Sequence, residues 1–375
     1  MLLVGEPVLG EAEKLALAKV IDTNWVTMGE QVRAFELAFA AAQGAADAAA
    51  VNSCTAGLHL VLAALGIGPG DEVLVPSLSF VATANCAVYV GAAPVFVDIA
   101  SFDEPLIALH DAELKIGPRV KAVILMHYAG FLADREAWHD FAERHRLLLI
   151  EDAAHAAGAE GAGLFGDAAV FSFYGNKNMT TAEGGMVLAR DPDVLDRVKQ
   201  MRSHGMTSNA RQRLDARTAS YDVTMLGWNY RLDELRAAVG LVQLASLPRW
   251  NERRRELVAV YRDALADRCP AVSVPFANDS RASAHHFLPA VLPAGIDRSA
   301  VMTQLRDRGV QTTVHYPPIH LLSLYREQNP AISLPQTEAF ASRQLTLPLH
   351  PKLEHGDIEQ VTAALAEALD AQAPK

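Results

Sequence analysis

Seven short apolar runs, none alternating with polar residues, set the first limit on how this chain can fold. They are Ala48–Val51, Val73–Val75, Val95–Val97, Val123–Met126, Leu147–Ile150, Ala168–Phe173 and Met186–Leu188. A strand with water on one face alternates in polarity, whereas a strand covered on both faces is apolar throughout. Stretches of helical length separate the runs, so the chain reads as repeated strand–helix–strand units. Such units join parallel neighbours. The expected fold class is therefore α/β, with a mainly parallel sheet flanked by helices. Ligands of such sheets gather at the carboxyl ends of strands. Asp152, Ser172 and Lys177 all fall at or just past such ends, which predicts one shared site.

The pattern changes around Tyr230. Leu232, Leu235, Val239 and Val242 share one helical face, and Pro248 is expected to end that helix. A charged helix is expected from Asn251, with Arg253, Arg254 and Arg255 on a solvated face. Shorter strand candidates follow at His286–Val291 and Gln311–His315. At 375 residues the chain exceeds the needs of one mid-sized core. The reading is a large domain over 1–240 and a smaller α/β domain over 241–375. No internal repeat or low-complexity linker interrupts it; the alanine-rich Ala38–Ala50 fits a helix running into a strand.

A net charge of −11 gives no general reason to expect nucleic acid or an anionic membrane as a partner. Cys54, Cys86 and Cys269 form an odd, widely spaced set with no disulfide or metal pattern, which fits reduced thiols in a cytosol. The N-terminus, Met1–Glu6, has neither a basic region nor a long apolar run, so no signal peptide is expected. The apolar span Val73–Ile99 is broken by Pro76, Asn85, Gly91 and Pro94 and reads as strand, helix, strand rather than a membrane helix. A soluble, cytoplasmic protein is expected.

Chemistry concentrates between Glu151 and Gly185. Glu151-Asp152-Ala153-Ala154-His155 closes one buried run, and Tyr174-Gly175-Asn176-Lys177 follows another, ahead of Glu183-Gly184-Gly185. An aspartate and a lysine so placed suit pyridoxal phosphate: the lysine holds the cofactor as a Schiff base, and the aspartate keeps the pyridinium nitrogen protonated. Taken singly, each has a plainer reading as a strand-end acid or a solvated lysine. Asn52-Ser53-Cys54-Thr55-Ala56-Gly57 precedes the helical run Leu58–Leu65. Its free N–H groups offer an anion site, and Ser53 or Thr55 equally suits a simple helix cap. Cys54 and His59 read as packing residues.

These segments, with Gly227-Trp228-Asn229-Tyr230-Arg231, resemble the sugar aminotransferases of the DegT/DnrJ/StrS type, within the fold type I pyridoxal phosphate enzymes. The resemblance runs from about Gly29 to beyond His350. It departs at Ala182, which stands where the family has glycine and could crowd the turn after the lysine. The resemblance implies that Lys177 and Asp152 are catalytic and that the N-terminal segment packs with the small domain. It implies phosphate contacts from Thr55, Ala56 and Ser172, ring stacking by Phe80, and a donor near the ring hydroxyl from His155. Asn229 is implied to reach the phosphate of a neighbouring subunit, so that a homodimer shares its sites. Thr27, Gly29, His315, Tyr316 and His320 are implied on the substrate side; His315 and His320 find no third ligand that would make a metal site. The implied reaction passes an amino group from an amino acid, L-glutamate by analogy, through pyridoxamine phosphate to a keto sugar. A nucleotide-linked 4-keto-6-deoxyhexose is the leading acceptor, with 3-keto sugars and cyclitol ketones as alternatives. Lys177 argues against the dehydratase branch, which carries histidine there. A non-catalytic regulatory or binding protein on the same scaffold is the rival from another class.

Overall fold

Each apolar run becomes a strand of a single sheet. The strands are β1 Ala49–Val51, β2 Glu72–Pro76, β3 Ala93–Val97, β4 Val120–Met126, β5 Leu148–Asp152, β6 Ala168–Ser172 and β7 Gly185–Ala189, in the spatial order β1-β7-β6-β5-β4-β2-β3. The computed structural model describes residues 1–207 and 220–372. The pairs β2–β3, β2–β4, β4–β5 and β5–β6 are parallel. β7 runs antiparallel to both β6 and β1. The reversal has a local cause. β6 and β7 are joined by the irregular segment 173–184, not by a crossover helix, so the chain returns the way it came.

The helices are α1 Glu11–Asp22, α2 Glu30–Gln43, α3 Cys54–Ala64, α4 Ala82–Tyr89, α5 Leu109–Leu114, α6 Arg135–His145, α7 Pro192–Met201, α8 Glu234–Arg268, α9 Arg298–Asp307, α10 Ser323–Gln328, α11 Pro335–Arg343 and α12 His355–Asp370. Alternation along each strand sends side chains to two cores. In β4, Val123 and Leu125 join Phe35 and Phe39 of α2 and Phe141 of α6 on one face. Ala122 and Ile124 join Leu58, Val61 and Leu62 of α3 on the other. Both faces are dry, which is why the strands carry no polar alternation.

Three expectations for the second half need correction. The helix does not end at Pro248: α8 runs unbroken over 35 residues with Pro248 inside it. Pro248 is exposed, so water can reach the carbonyl its missing N–H leaves without a partner. The deeply buried face of α8 carries Ala237, Gly240 and Leu247, whereas Leu235, Val239 and Val242 are only half-buried. Arg254 is not solvated but 2% exposed, its Nη1 donating to the carbonyls of His286 and Leu349. Arg253 and Arg255 do face outward, beside Glu256 and Glu252. The strand expected at 311–315 is reduced to one bridge between Thr313 and Thr346. The strand that pairs with β8 (Leu288–Val291) is instead β9 (Gln344–Leu347), antiparallel to it.

A third core lies around this small sheet. Leu257, Tyr261 and Leu265 of α8 pack there with Leu288, Leu345, Leu347, Val361 and Leu365. The first residues of the chain lie against the same region: Leu2 bridges Val310, and the Leu349 N–H donates to the Val4 carbonyl. Among the described residues no helix is long and apolar enough to cross a membrane.

Ala182 sits in the turn after Lys177 with φ +67°. Its side chain is exposed, so the difficulty is the left-handed backbone rather than crowding. An alanine pays about 1–2 kcal/mol to hold that conformation, less the extra entropy a glycine loses on folding. Ala182→Gly should therefore raise stability by about 1 kcal/mol, read as a higher urea midpoint; an unchanged or lower midpoint would show that the turn carries no such cost.

Candidate active site

Of the adjacent acids at the end of β5, alternation turns only one toward the strand ends where a ligand fits. Glu151 faces the interior, accepting from the Gly163 and Phe165 N–H groups at 2.9 and 2.8 Å and pairing with His127 Nε2 at 2.8 Å. Asp152 faces a cavity of about 450 Å³. Its Oδ2 accepts from the Thr83 hydroxyl at 2.6 Å and its Oδ1 from the Ala154 N–H at 3.2 Å. Burial raises the Asp152 pKa, and the Thr83 and Ala154 hydrogen bonds pull against that rise. The carboxylate is thus held by neutral donors, with no cation hydrogen-bonded to it among the described residues.

Lys177 enters the same cavity from the segment after β6. Burial lowers its ammonium to about 8, against the raising influence of Cys54 and Asp152. About a tenth of the lysine is therefore neutral at pH 7, far more than for a free lysine, and that is the form able to attack a carbonyl. Ser172, the last residue of β6, and Thr55, in the first turn of α3, also line the cavity. Ser53 caps α3, taking the Ala56 N–H at 3.1 Å. The Ala56 amide is therefore already engaged, and the first-turn amides of Cys54 and Thr55 precede the first intrahelical bond. Glycine allows the close packing here. A Cβ on Gly57 would lie 2.5 Å from Val170 Cγ1, and one on Gly185 would lie 2.8 Å from the Cys54 nitrogen.

The opposite wall comes from the second half of the chain. Tyr316 Oη lies 2.9 Å from His155 Nε2, and the His315 ring stacks on Phe287 at 4.3 Å. The Tyr128 hydroxyl donates to the His315 carbonyl at 2.5 Å. Burial pushes His155 well below its usual range and His315 down to about 3, so both imidazoles stay neutral. Phe80 is 56% exposed on the rim, 6.1 Å from the Tyr316 ring.

The cavity thus brings together Thr55, Phe80, Asp152, His155, Ser172, Lys177, His315 and Tyr316. Five other expected residues lie off it, among them Ala56, whose amide is taken by Ser53. Asn229 is exposed, its backbone bridging Ser203 and its carbonyl receiving Asn52 Nδ2 at 3.5 Å. Thr27 is exposed, and the Gly29 N–H donates to Glu234, which caps α2. His320 is buried away from the cavity, between Ser77 Oγ at 2.6 Å and Glu338 Oε1 at 3.2 Å. Sequence reasoning missed Thr83, Tyr174, Asn176, Glu183 and His286. Thr83 had a faint signal: it is a lone hydroxyl in the apolar run Val81–Ala84.

Residues 7–366 match the model of the DegT/DnrJ/EryC1/StrS aminotransferase family. The chain belongs to that family. It is similar along 100% of both chains to the aminotransferase TlmJ from Streptoalloteichus hindustanus, at 35% identity and a TM-score of 0.92. The PLP form of the putative sugar aminotransferase Spr1654 from Streptococcus pneumoniae matches at 26% identity, over 99% of each chain, with a TM-score of 0.91. DesI, solved in the presence of its TDP-sugar product, matches at 32% identity over 99% of this chain and 94% of its own, with a TM-score of 0.89.

This aminotransferase is a pyridoxal phosphate enzyme, and its own residues fit that cofactor. A buried carboxylate without a cation is completed by a protonated ring nitrogen. His155 Nδ1 is buried with no hydrogen-bond partner among the described residues, leaving one ring nitrogen to meet a polar group. The fit yields a test of Thr83. Thr83→Val keeps the shape but removes the hydroxyl on Asp152 Oδ2, so the Asp152 pKa should rise further and the carboxylate should be lost at a higher pH. The acid limb of the glutamate half-reaction should move upward, and cofactor affinity should fall roughly tenfold, the size of one hydrogen bond to a charged group. An unmoved limb would reduce Thr83 to packing.

Proposed function

We propose that this aminotransferase moves the amino group of L-glutamate to the ketone of a nucleotide-linked 4-keto-6-deoxyhexose, working as a cytosolic homodimer. The observation that carries this reading is the wall facing Lys177. Phe80 offers an aromatic face, and Tyr174, His286, His315 and Tyr316 offer aromatic rings with polar atoms, a lining suited to a hydroxylated ring. DesI, which resembles this chain along nearly its whole length, was solved with a TDP-sugar. The three cysteines are unpaired, as befits a reducing compartment.

When bound, the cofactor supplies an electron sink for breaking a bond beside the substrate amine. The chain supplies the rest. Asp152 would hold a negative charge toward the ring nitrogen, with Thr83 keeping that carboxylate in place. Lys177, once free, carries a proton to and from the reacting carbon, its ammonium already weakened by burial. The N-terminal turn of α3 and Ser172 would hold the phosphate, and the exposed Asn229 would complete that site in a neighbouring subunit.

A ketone screen with L-glutamate as donor tests the chemistry, read by product mass and 2-oxoglutarate release. TDP-4-keto-6-deoxyglucose should be aminated; turnover of the cyclitol scyllo-inosose alone would replace the acceptor assigned here. Shared sites have their own test. Asn229→Ala should weaken cofactor binding by roughly 1.5–3 kcal/mol. Mixing Lys177→Ala chains with Asn229→Asp chains should give activity above the sum of the separate variants, because one site of each mixed dimer carries neither lesion. No recovery despite mixed dimers would return Asn229 to its own chain or remove it from the site.

A further inference from the structure

His286 lines the cavity beside Lys177, although the sequence offered it only as the first residue of a strand candidate. Its backbone is fixed by Arg254, whose Nη1 donates to its carbonyl at 3.1 Å. Its ring lies 4.6 Å from that of His155. The protonation of that ring follows from a chain of hydrogen bonds anchored on backbone carbonyls, which can only accept. Asn251 Nδ2 donates to the Ala157 carbonyl at 2.9 Å, so Asn251 Oδ1 is an acceptor. Asn178 Nδ2 donates to that oxygen at 2.7 Å and to the Ala284 carbonyl at 2.6 Å. Asn178 therefore presents Oδ1 to His286 Nδ1, 2.9 Å away. An amide oxygen has no proton to give, so Nδ1 must carry one.

In a neutral imidazole the other nitrogen then holds a lone pair. Burial, the nearby Lys177 and neighbouring histidines push His286 well below its usual range, so it stays neutral. Among the described residues the ring's hydrogen bond is the one at Nδ1, and the residue lines the cavity, so Nε2 is left for a ligand. The cavity thus receives an acceptor with a fixed tautomer, backed by the residue next to Lys177. Only a hydrogen-bond donor satisfies it.

We propose that His286 is a specificity-determining residue whose Nε2 accepts a hydrogen bond from a ring hydroxyl of the acceptor, so that the site favours a hydroxylated ketone over its deoxy counterpart. This rests on the keto-sugar reading above. A site built to bind a hydroxyl discriminates against the analogue lacking it, because its buried polar group is left without a partner.

The test compares the wild-type holoenzyme with His286→Asn and His286→Gln. Asparagine keeps a donor near the Nδ1 position and removes Nε2; glutamine places an acceptor near Nε2 and loses the tie to Asn178. Substrates are TDP-4-keto-6-deoxyglucose and its 2-deoxy and 3-deoxy analogues. The wild type should disfavour one deoxy analogue by roughly tenfold in kcat/KM. His286→Asn should erase that preference by raising KM for the hydroxylated sugar roughly tenfold, with cofactor absorbance kept and a smaller change in the glutamate half-reaction. His286→Gln should retain the preference. A preference intact in His286→Asn, or an equal slowing of the glutamate half-reaction, would overturn the proposal.

Nitrogen-15 spectra of histidine-labelled holoenzyme provide a readout independent of turnover. They should show the Nδ1–H tautomer for His286; a proton on Nε2 would overturn the proposal whatever the acceptor. Should the wild type aminate none of the three sugars, the acceptor reading fails instead. The Nε2 resonance on adding scyllo-inosose then decides: an upfield shift supports the role of His286, and an unmoved resonance ends it.

Discussion

The site is organised around a carboxylate that its own surroundings discourage from ionising. Asp152 is 4% exposed, and burial alone would favour the neutral acid. Two neutral donors, Thr83 from α4 and the Ala154 amide, hold the charge partway. The remainder is left to a cationic ligand. A protonated cofactor ring would supply the missing charge and so couple binding to electronics, because the proton that stabilised Asp152 would also make the ring electron-poor. The seven-stranded sheet and its helices serve that arrangement. β5 ends at the acid, α4 brings the hydroxyl, α3 packs tightly enough against β6 and β7 to bring its N-terminal turn beside them, and the antiparallel return to β7 leaves the segment that presents Lys177.

What could be read from the residues alone divides by the range of the contacts involved. The seven strands were legible because full burial on two faces is written locally, as apolar runs without alternation. Asp152 and Lys177 were legible because their types and positions at strand ends already suggest a reaction. Thr83 and His286 were not, since what distinguishes them is a partner 69 or 108 residues away in sequence. Arg254 misled for the same reason: a basic triplet looks solvated until the carbonyls of His286 and Leu349 close over its middle member. Pro248 misled because its effect depends on whether water can reach the carbonyl it strands, which the sequence does not state. The pairing of β8 with 344–347 instead of 311–315 is likewise a long-range choice.

The cavity is built by both halves of the chain. His155 belongs to the segment after β5 and Tyr316 to the segment before α10, yet they share one hydrogen bond. The His315–Tyr316 segment is held in turn by Tyr128 and by Thr346, the latter 2.8 Å from His315 Nδ1. The two sides of the cavity are therefore mechanically joined through side chains rather than merely adjacent.

The unbroken course of α8 bears on how the molecule can move. At 1.5 Å per residue its 35 residues form a rod about 52 Å long. The same rod contributes Leu247 to the core under the sheet and Leu257 to the core of the small sheet. No slack tether lies along it, so the far core cannot swing freely about this connection. Displacement has to be taken up as flexure of the helix, and one rung of its ladder is already absent at Pro248. That proline, placed between Leu247 and Leu257, makes a compliance point of what would otherwise be a stiff beam.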